Sequence, residues 1–277
     1  MAEQPPRSRA ARDAAERALV RVVHHYGATP EFVLLGGLVP TLLCSTSGVL
    51  HAGTTDVDVQ VNLEIAAGAV NAVRLERALV NAEFEPEQGN VWRWRTMSDA
   101  QRTVVEFELL ADLENERAHS IVSFRDCDVL GAINLRGTGF ATRDYARQPL
   151  ESRVGGVLYE VEVNVSGLAG FLLSKAAAAH MRRKEKDWYD IAFVLRHNDA
   201  GGPVQAAAIT REHFGPDLTG EIATALDDLL ANFATPSAQG PSAYSSQMGA
   251  DYPDADQTEL RTDAVLAVQA FHAGLFS

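Results

Sequence analysis

At 277 residues, 46% hydrophobic and 22% charged, the chain has a soluble globular composition and length for one large domain or two modest ones, each with a core. Its formal net charge of −13 argues against wrapping long duplex nucleic acid, which calls for a basic surface; a nucleic-acid contact would need a local basic patch or a small target such as one RNA end. No apolar run is long enough to span a bilayer, the polar start carries no signal-like apolar segment, and Cys44 and Cys127 lack metal-type spacing, so a cytoplasmic protein with reduced thiols is expected.

In chain order, Ala10, Ala14, Leu19, Val22 and Val23 predict a helix over about 7–26. Thr29-Pro30 ends it, and Phe32-Val33-Leu34-Leu35 predicts a short buried strand. Gly36-Gly37 turns that strand into a short helix over 38–43, with Pro40 tolerated in its first turn. A strand is expected over 56–63, a helix over 64–81, and further strands over 91–95, 103–110, 126–135 and 157–165. After Ser166-Gly167 the pattern becomes helical, over 168–183, 187–196, 219–233 and 259–275. Residues 234–258, rich in Ala, Ser, Pro, Gly and Asp, read as a long loop or mobile linker. The expected architecture is α/β (α+β), with a mixed-sheet half over 1–165 and a helical half over 166–277.

Residues two apart in a strand share a face, so Asp56 and Asp58 project together while Val57, Val59 and Val61 point the other way. Adjacent carboxylates repel, and a divalent cation between them accounts for the pair; the ordinary alternative is a solvated strand face. Glu106 and Glu108 repeat the spacing on a later strand and offer a third carboxylate, the pattern leaving open which. Such hard oxygen donors suit Mg²⁺ or Mn²⁺ together with substrate phosphates. Gly36-Gly37, if more than a turn, lets a phosphate approach the backbone, and Thr54-Thr55 adds hydroxyls. Lys175 shares its helix face with Phe171 and Leu172, so its ammonium either snorkels to solvent or enters a cleft. Arg183–Asp187 and Lys186–Asp190 have the spacing of surface pairs worth ~0.3–0.5 kcal/mol. Trp92 and Trp94 suit sheet packing, with a base-stacking platform as the alternative.

The ordered triplet of a glycine pair after a strand, Asp56-Val-Asp58, and a Glu106/Glu108 strand resembles the nucleotidyltransferase fold of the DNA polymerase β superfamily. Two departures are Gly37, where that superfamily often has Ser, and Glu where Asp is commoner as third acid. Lys175 followed by Arg183, Lys186, Asp187 and Asp190 resembles the helical signature of AbiEii/MenT-type nucleotidyltransferases, mostly toxins of toxin–antitoxin and phage-defence systems. The two resemblances together run from the first strand to the end of the second C-terminal helix. They imply NMP transfer from an NTP, with Mg²⁺ or Mn²⁺ on Asp56, Asp58 and Glu108 (or Glu106). The nucleotide would lie on Gly36, Gly37, Thr54, Thr55, Lys175 and Arg183, with Lys175 and Asp187 in the active site. They further imply a tRNA 3′ end as acceptor, guided by Arg182, Arg183, Lys184 and Lys186, and a cognate antitoxin as partner. The acidic balance keeps two other readings open: transfer to a small cationic acceptor of the aminoglycoside type, and a catalytically silent nucleotide-binding or interaction module.

Overall fold

Alternation along neighbouring strands decides the layering of the first half. The structure, a computed structural model, describes residues 8–98, 103–154 and 156–276. The chain divides into two compact units, Met1–Val39 with Gly53–Ser166, and Pro40–Ala52 with Gly167–Ser277.

The first unit begins with α1 (Arg9–Tyr26), whose N-terminal Ser8 side chain accepts the Ala11 N–H at 3.2 Å. Residue 7, included in the expected helix, lies outside the described residues. There follow β1 (Val33–Leu35), a 3₁₀ turn over Gly36–Leu38, α2 (Val39–Leu43), β2 (Asp56–Gln60), α3 (Asn62–Ala67) and α4 (Ala69–Asn81). Then come β3 (Glu85–Glu87), β4 (Asn90–Ser98), β5 (Thr103–Ala111), β6 (Ile121–Ser123), β7 (Gly131–Asn134), a 3₁₀ turn over Thr138–Thr142, β8 (Tyr145–Val154) and β9 (Val157–Ser166). The strands form one mixed sheet in the order β3-β4-β5-β2-β1-β9-β8, with β7 on β5 and β6 on β7. The pairs β2–β5, β1–β9 and β5–β7 are parallel and the rest antiparallel.

Register sorts the two faces. Trp94, Phe107 and Val57 stand in one row across β4, β5 and β2, and Val59 pairs Leu109 in the next; all are fully buried. α1 packs on this side, and Phe107 takes edge-to-face contacts from Phe32 and Phe84 at 6.1 and 5.8 Å between ring centres. On the opposite face Val33, Leu35, Leu110 and Ala141 make a small second core, while the ends of β2, β4 and β5 carry charge. The outer strands β3 and β8 hold Pro86 and Pro149, residues that cannot donate to a further strand.

The second unit contains α5 (Leu168–Arg182), α6 (Glu185–His197), α7 (Pro203–Phe214), α8 (Gly220–Asn232), α9 (Gln239–Asp251) and α10 (Gln257–Leu275). The excursion over 40–52 belongs to it through specific bonds. The Asp199 carboxylate accepts the backbone N–H and hydroxyl of both Ser45 and Thr46, at 2.6–3.0 Å. The Tyr252 and Tyr189 hydroxyls accept the N–H groups of Leu50 and Ala52 at 2.7 and 3.0 Å. No described helix is long and apolar enough to cross a membrane.

The mixed sheet with flanking helices and a helical C-terminal half is the architecture expected. Several elements differ. The helix expected over 64–81 is broken at Gly68, with the buried Glu64 pinning α3 by accepting the Glu31 and Phe32 N–H groups at 2.8 and 3.3 Å. The strand expected over 126–135 shrinks to β7, because the Asp128 and Val129 N–H groups donate to Glu76 instead of to a strand. α7, which opens on Pro203 in its first turn, was not expected, nor were the polar edge strands β3 and β8 or the short β6.

The segment 234–258 is no long loop: it contains α9, which packs on α6 and α10. Small residues, read as loop composition, are what let α9 approach so closely. A Cβ at Gly240 would overlap the buried Phe233 ring, standing 2.5 Å from Cδ2. Tertiary packing here overrides weak helix propensity. Gly240→Ala is therefore expected to destabilise the protein by about 1–3 kcal/mol, read as a lower Tm in thermal unfolding.

Candidate functional site

The charged face of the first unit is built in two rows. Across β4, β5 and β2, Arg93 pairs Glu108, which pairs Asp58; one step along, Arg95 pairs Glu106, which pairs Asp56. Each row reads cation, acid, acid. Arg95 holds one Glu106 oxygen twice, through Nε at 2.8 Å and a terminal nitrogen at 2.6 Å, and reaches Glu87 at 2.8 Å. Arg93 reaches Glu108 at 2.6 Å, with Glu87 at 3.6 Å and Glu106 at 3.8 Å. Burial works against the Arg93 charge, but Glu108 and Glu106 outweigh it and raise its pKa. Glu87, Glu106, Glu108, Asp56 and Asp58 outnumber the two arginines, so the face keeps a net negative charge.

The glycine turn lies against this face. Gly36 has φ +78°, a conformation that disfavours side chains, and a Cβ there would overlap the Asp58 carboxylate, standing 2.6 and 2.8 Å from its Cγ and Cβ. A Cβ at Gly37 would stand 2.7 Å from the Thr54 Cβ. The glycine at 37 thus has a local cause: Thr54 fills the space a side chain would take. Thr54 and Thr55 turn their hydroxyls toward Asp56 rather than outward. Thr54 Oγ1 accepts the Asp56 N–H at 3.0 Å, and Thr55 Oγ1 donates to the Asp56 carboxylate at 3.2 Å.

The divalent cation expected from the sequence can be tested against these contacts. Asp56 and Asp58, half-buried on one face beside a backbone with no Cβ, fit a cation that takes two carboxylates and completes its shell with phosphate. Glu106 and Glu108 are in arginine ion pairs. No group of three or more His, Cys, Asp or Glu poised for a metal occurs among the described residues.

The second cluster lies wholly in the helical unit. Lys175, at mid-α5, donates to Asp187 at 3.1 Å and Asp190 at 2.7 Å, both fully buried and on one face of α6. Asp190 bonds His51 Nε2 at 2.9 Å, and the His51 ring lies 4.9 Å from the rings of both Tyr189 and Phe193. Arg182 grips Asp187 with two bonds of 2.6 and 2.7 Å. Two cations thus face two carboxylates. The residue on Asp187 is Arg182, not Arg183: Arg183 closes α5 at φ +48° and pairs with Asp228 at 2.8 Å.

Sequence reasoning named Lys175, Asp187 and both acid pairs but not the roles of Arg93, Arg95, Arg182 and His51. Arg93 and Arg95 were legible in principle, because their two-residue spacing matches that of Glu106 and Glu108 with opposite charge. His51 carried no signal. Compared with family models, with curated proteins and with solved structures, the chain has no significant match.

Two outcomes are expected for the helical cluster. Lys175→Met leaves two buried carboxylates sharing one guanidinium, and should destabilise the protein by roughly 3–5 kcal/mol. Lys175→Met/Asp190→Asn should recover part of that loss in denaturant unfolding. Burial opposes ionisation of Asp187, but Lys175 and Arg182 outweigh it and lower its pKa. A lowered carboxylate pKa contributes stability above the unfolded-state value of about 3.9, and that contribution is lost as pH falls through the folded value. The Tm gap between parent and Asp187→Asn should accordingly hold steady between about pH 6 and 8 and narrow as pH drops below about 4.

Proposed function

We propose that the protein is a metal-dependent nucleotidyltransferase that moves NMP from an NTP to an acceptor hydroxyl. The observation that carries this reading is the close approach of the Gly36 backbone to the Asp58 carboxylate, with no room for a Cβ between them. That juxtaposition sets a backbone that phosphates can approach beside a carboxylate pair suited to a cation.

In this reading Asp56 and Asp58 would hold Mg²⁺ or Mn²⁺, and the bound ion would supply charge stabilisation for the triphosphate and its leaving group. The acceptor oxygen forms a bond to the α-phosphorus as the bond to the β-phosphate oxygen breaks, and pyrophosphate leaves. Thr54 and Thr55 hold Asp56 in place, and Glu108, or Glu106 in the neighbouring row, is the third acid on the nucleophile side. Asp187 and Asp190 take two of the three Lys175 donors, and Arg183 pairs with Asp228. Catalysis then rests mainly on positioning and electrostatics.

The acceptor we favour is the 3′ end of tRNA, approached through Arg182, Arg183, Lys184 and Lys186, in a toxin of a toxin–antitoxin or phage-defence system resembling the AbiEii/MenT type, with a cognate antitoxin as partner. A second reading, a small cationic acceptor of the aminoglycoside type, is favoured by the negative balance of the β2–β5 face and by the pairing of Arg182 and Arg183 with Asp187 and Asp228.

Purified protein with Mg²⁺ and each labelled NTP, given bulk tRNA or an aminoglycoside, separates these readings. Label should pass to tRNA and fall on the order of a hundredfold or more in Asp56→Ala. Transfer to the aminoglycoside alone would select the second reading. NTP binding without transfer to either would leave a binding module. Because Lys175 and Asp187 hold a buried ion cluster, lost activity in their variants bears on chemistry only if folding is measured alongside.

A further inference from the structure

We propose that Arg93 is an internal competitor for the third carboxylate, holding Glu108 in an ion pair that weakens its hold on a divalent cation beside Asp58. The inference rests on the metal-dependent reading above and concerns the regulation of that site. Three observations carry it.

The first is register. Arg93, Glu108 and Asp58 are direct cross-strand neighbours on β4, β5 and β2, so Glu108 has a guanidinium on one side and a proposed cation ligand on the other. The second is the unequal grip of the two arginines. Arg95 closes on Glu106 with two bonds to the same oxygen. Arg93 divides its fork among three acids, close only to Glu108, and its buried Nε has no hydrogen-bond partner. Arg93 thus holds Glu108 by a single close contact, where Arg95 makes two to Glu106. The third is the Trp92 ring, already 4.5 Å from the Arg93 guanidinium, a cation–π contact that does not itself involve Glu108.

Competition follows from charge. Arg93 occupies one Glu108 oxygen, and its positive charge repels a hard cation approaching the other. Glu108 therefore serves a cation beside Asp58 more strongly once Arg93 yields.

The test uses the full chain and Mn²⁺ alone, with free Mn²⁺ followed by electron paramagnetic resonance. Arg93→Gln should bind Mn²⁺ roughly tenfold more tightly than the parent. The gain should vanish in Arg93→Gln/Glu108→Gln. Arg93→Lys, which keeps the charge but loses the fork, should gain less, in the same direction; it also serves if Arg93→Gln fails to fold, as judged by circular dichroism and Tm. Folded variants at Arg93 that bind Mn²⁺ no better than the parent would overturn the proposal, as would a gain that persists without Glu108. If Asp56→Ala loses Mn²⁺ while the Arg93 variants match the parent, the metal site stands and the competition fails. If neither parent nor Arg93 variants bind Mn²⁺, both readings fall.

Discussion

The pairing register of β2 with β5, and of β5 with β4, is the constraint on which the first unit depends. Side chains alternate along each strand, so one register places Trp94, Phe107 and Val57 under α1 and, by the same step, places Arg93, Glu108 and Asp58 together on the other face. A slip of one residue would bury four carboxylates and two guanidiniums and expose the apolar row. The cost of that exchange fixes the charged face as firmly as it fixes the core.

Within that face the closest contact is between backbone and carboxylate. The Gly36 turn touches Asp58 where no side chain fits, and Gly37 meets Thr54 in the same way. The glycine pair therefore has a double cause, a left-handed backbone and lack of space. The threonines, expected at phosphates, also bond Asp56. The acids of β5 are balanced by arginines one strand away, which makes the electrostatics of the face a matter of exchange among partners rather than of free carboxylates.

The helical unit solves a different problem. Lys175, Asp187, Asp190 and Arg182 balance two positive charges with two negative ones in a largely buried setting, where an unmatched charge would be expensive. His51 reaches this cluster from the 40–52 excursion, whose bonds to Asp199, Tyr252 and Tyr189 give a stretch of irregular chain defined partners for its polar groups.

By itself the sequence determined the alternating strands β2 and β5, the glycine turn between β1 and α2, and the helices α5, α6, α8 and α10, because each rests on local periodicity or a local backbone requirement. It also placed Asp56 with Asp58, and Glu106 with Glu108, on shared faces. Only the tertiary structure decided which partners those charges take: Arg93 for Glu108, Arg95 for Glu106, Arg182 rather than Arg183 for Asp187, and Lys175 with His51 for Asp190. It likewise decided that the Ala- and Ser-rich stretch before α10 folds as α9, since the closeness that Gly240 permits against Phe233 exists only once the helices have packed. Periodicity is a property of neighbours along the chain, whereas ion pairing and close packing depend on how separate elements come together in space.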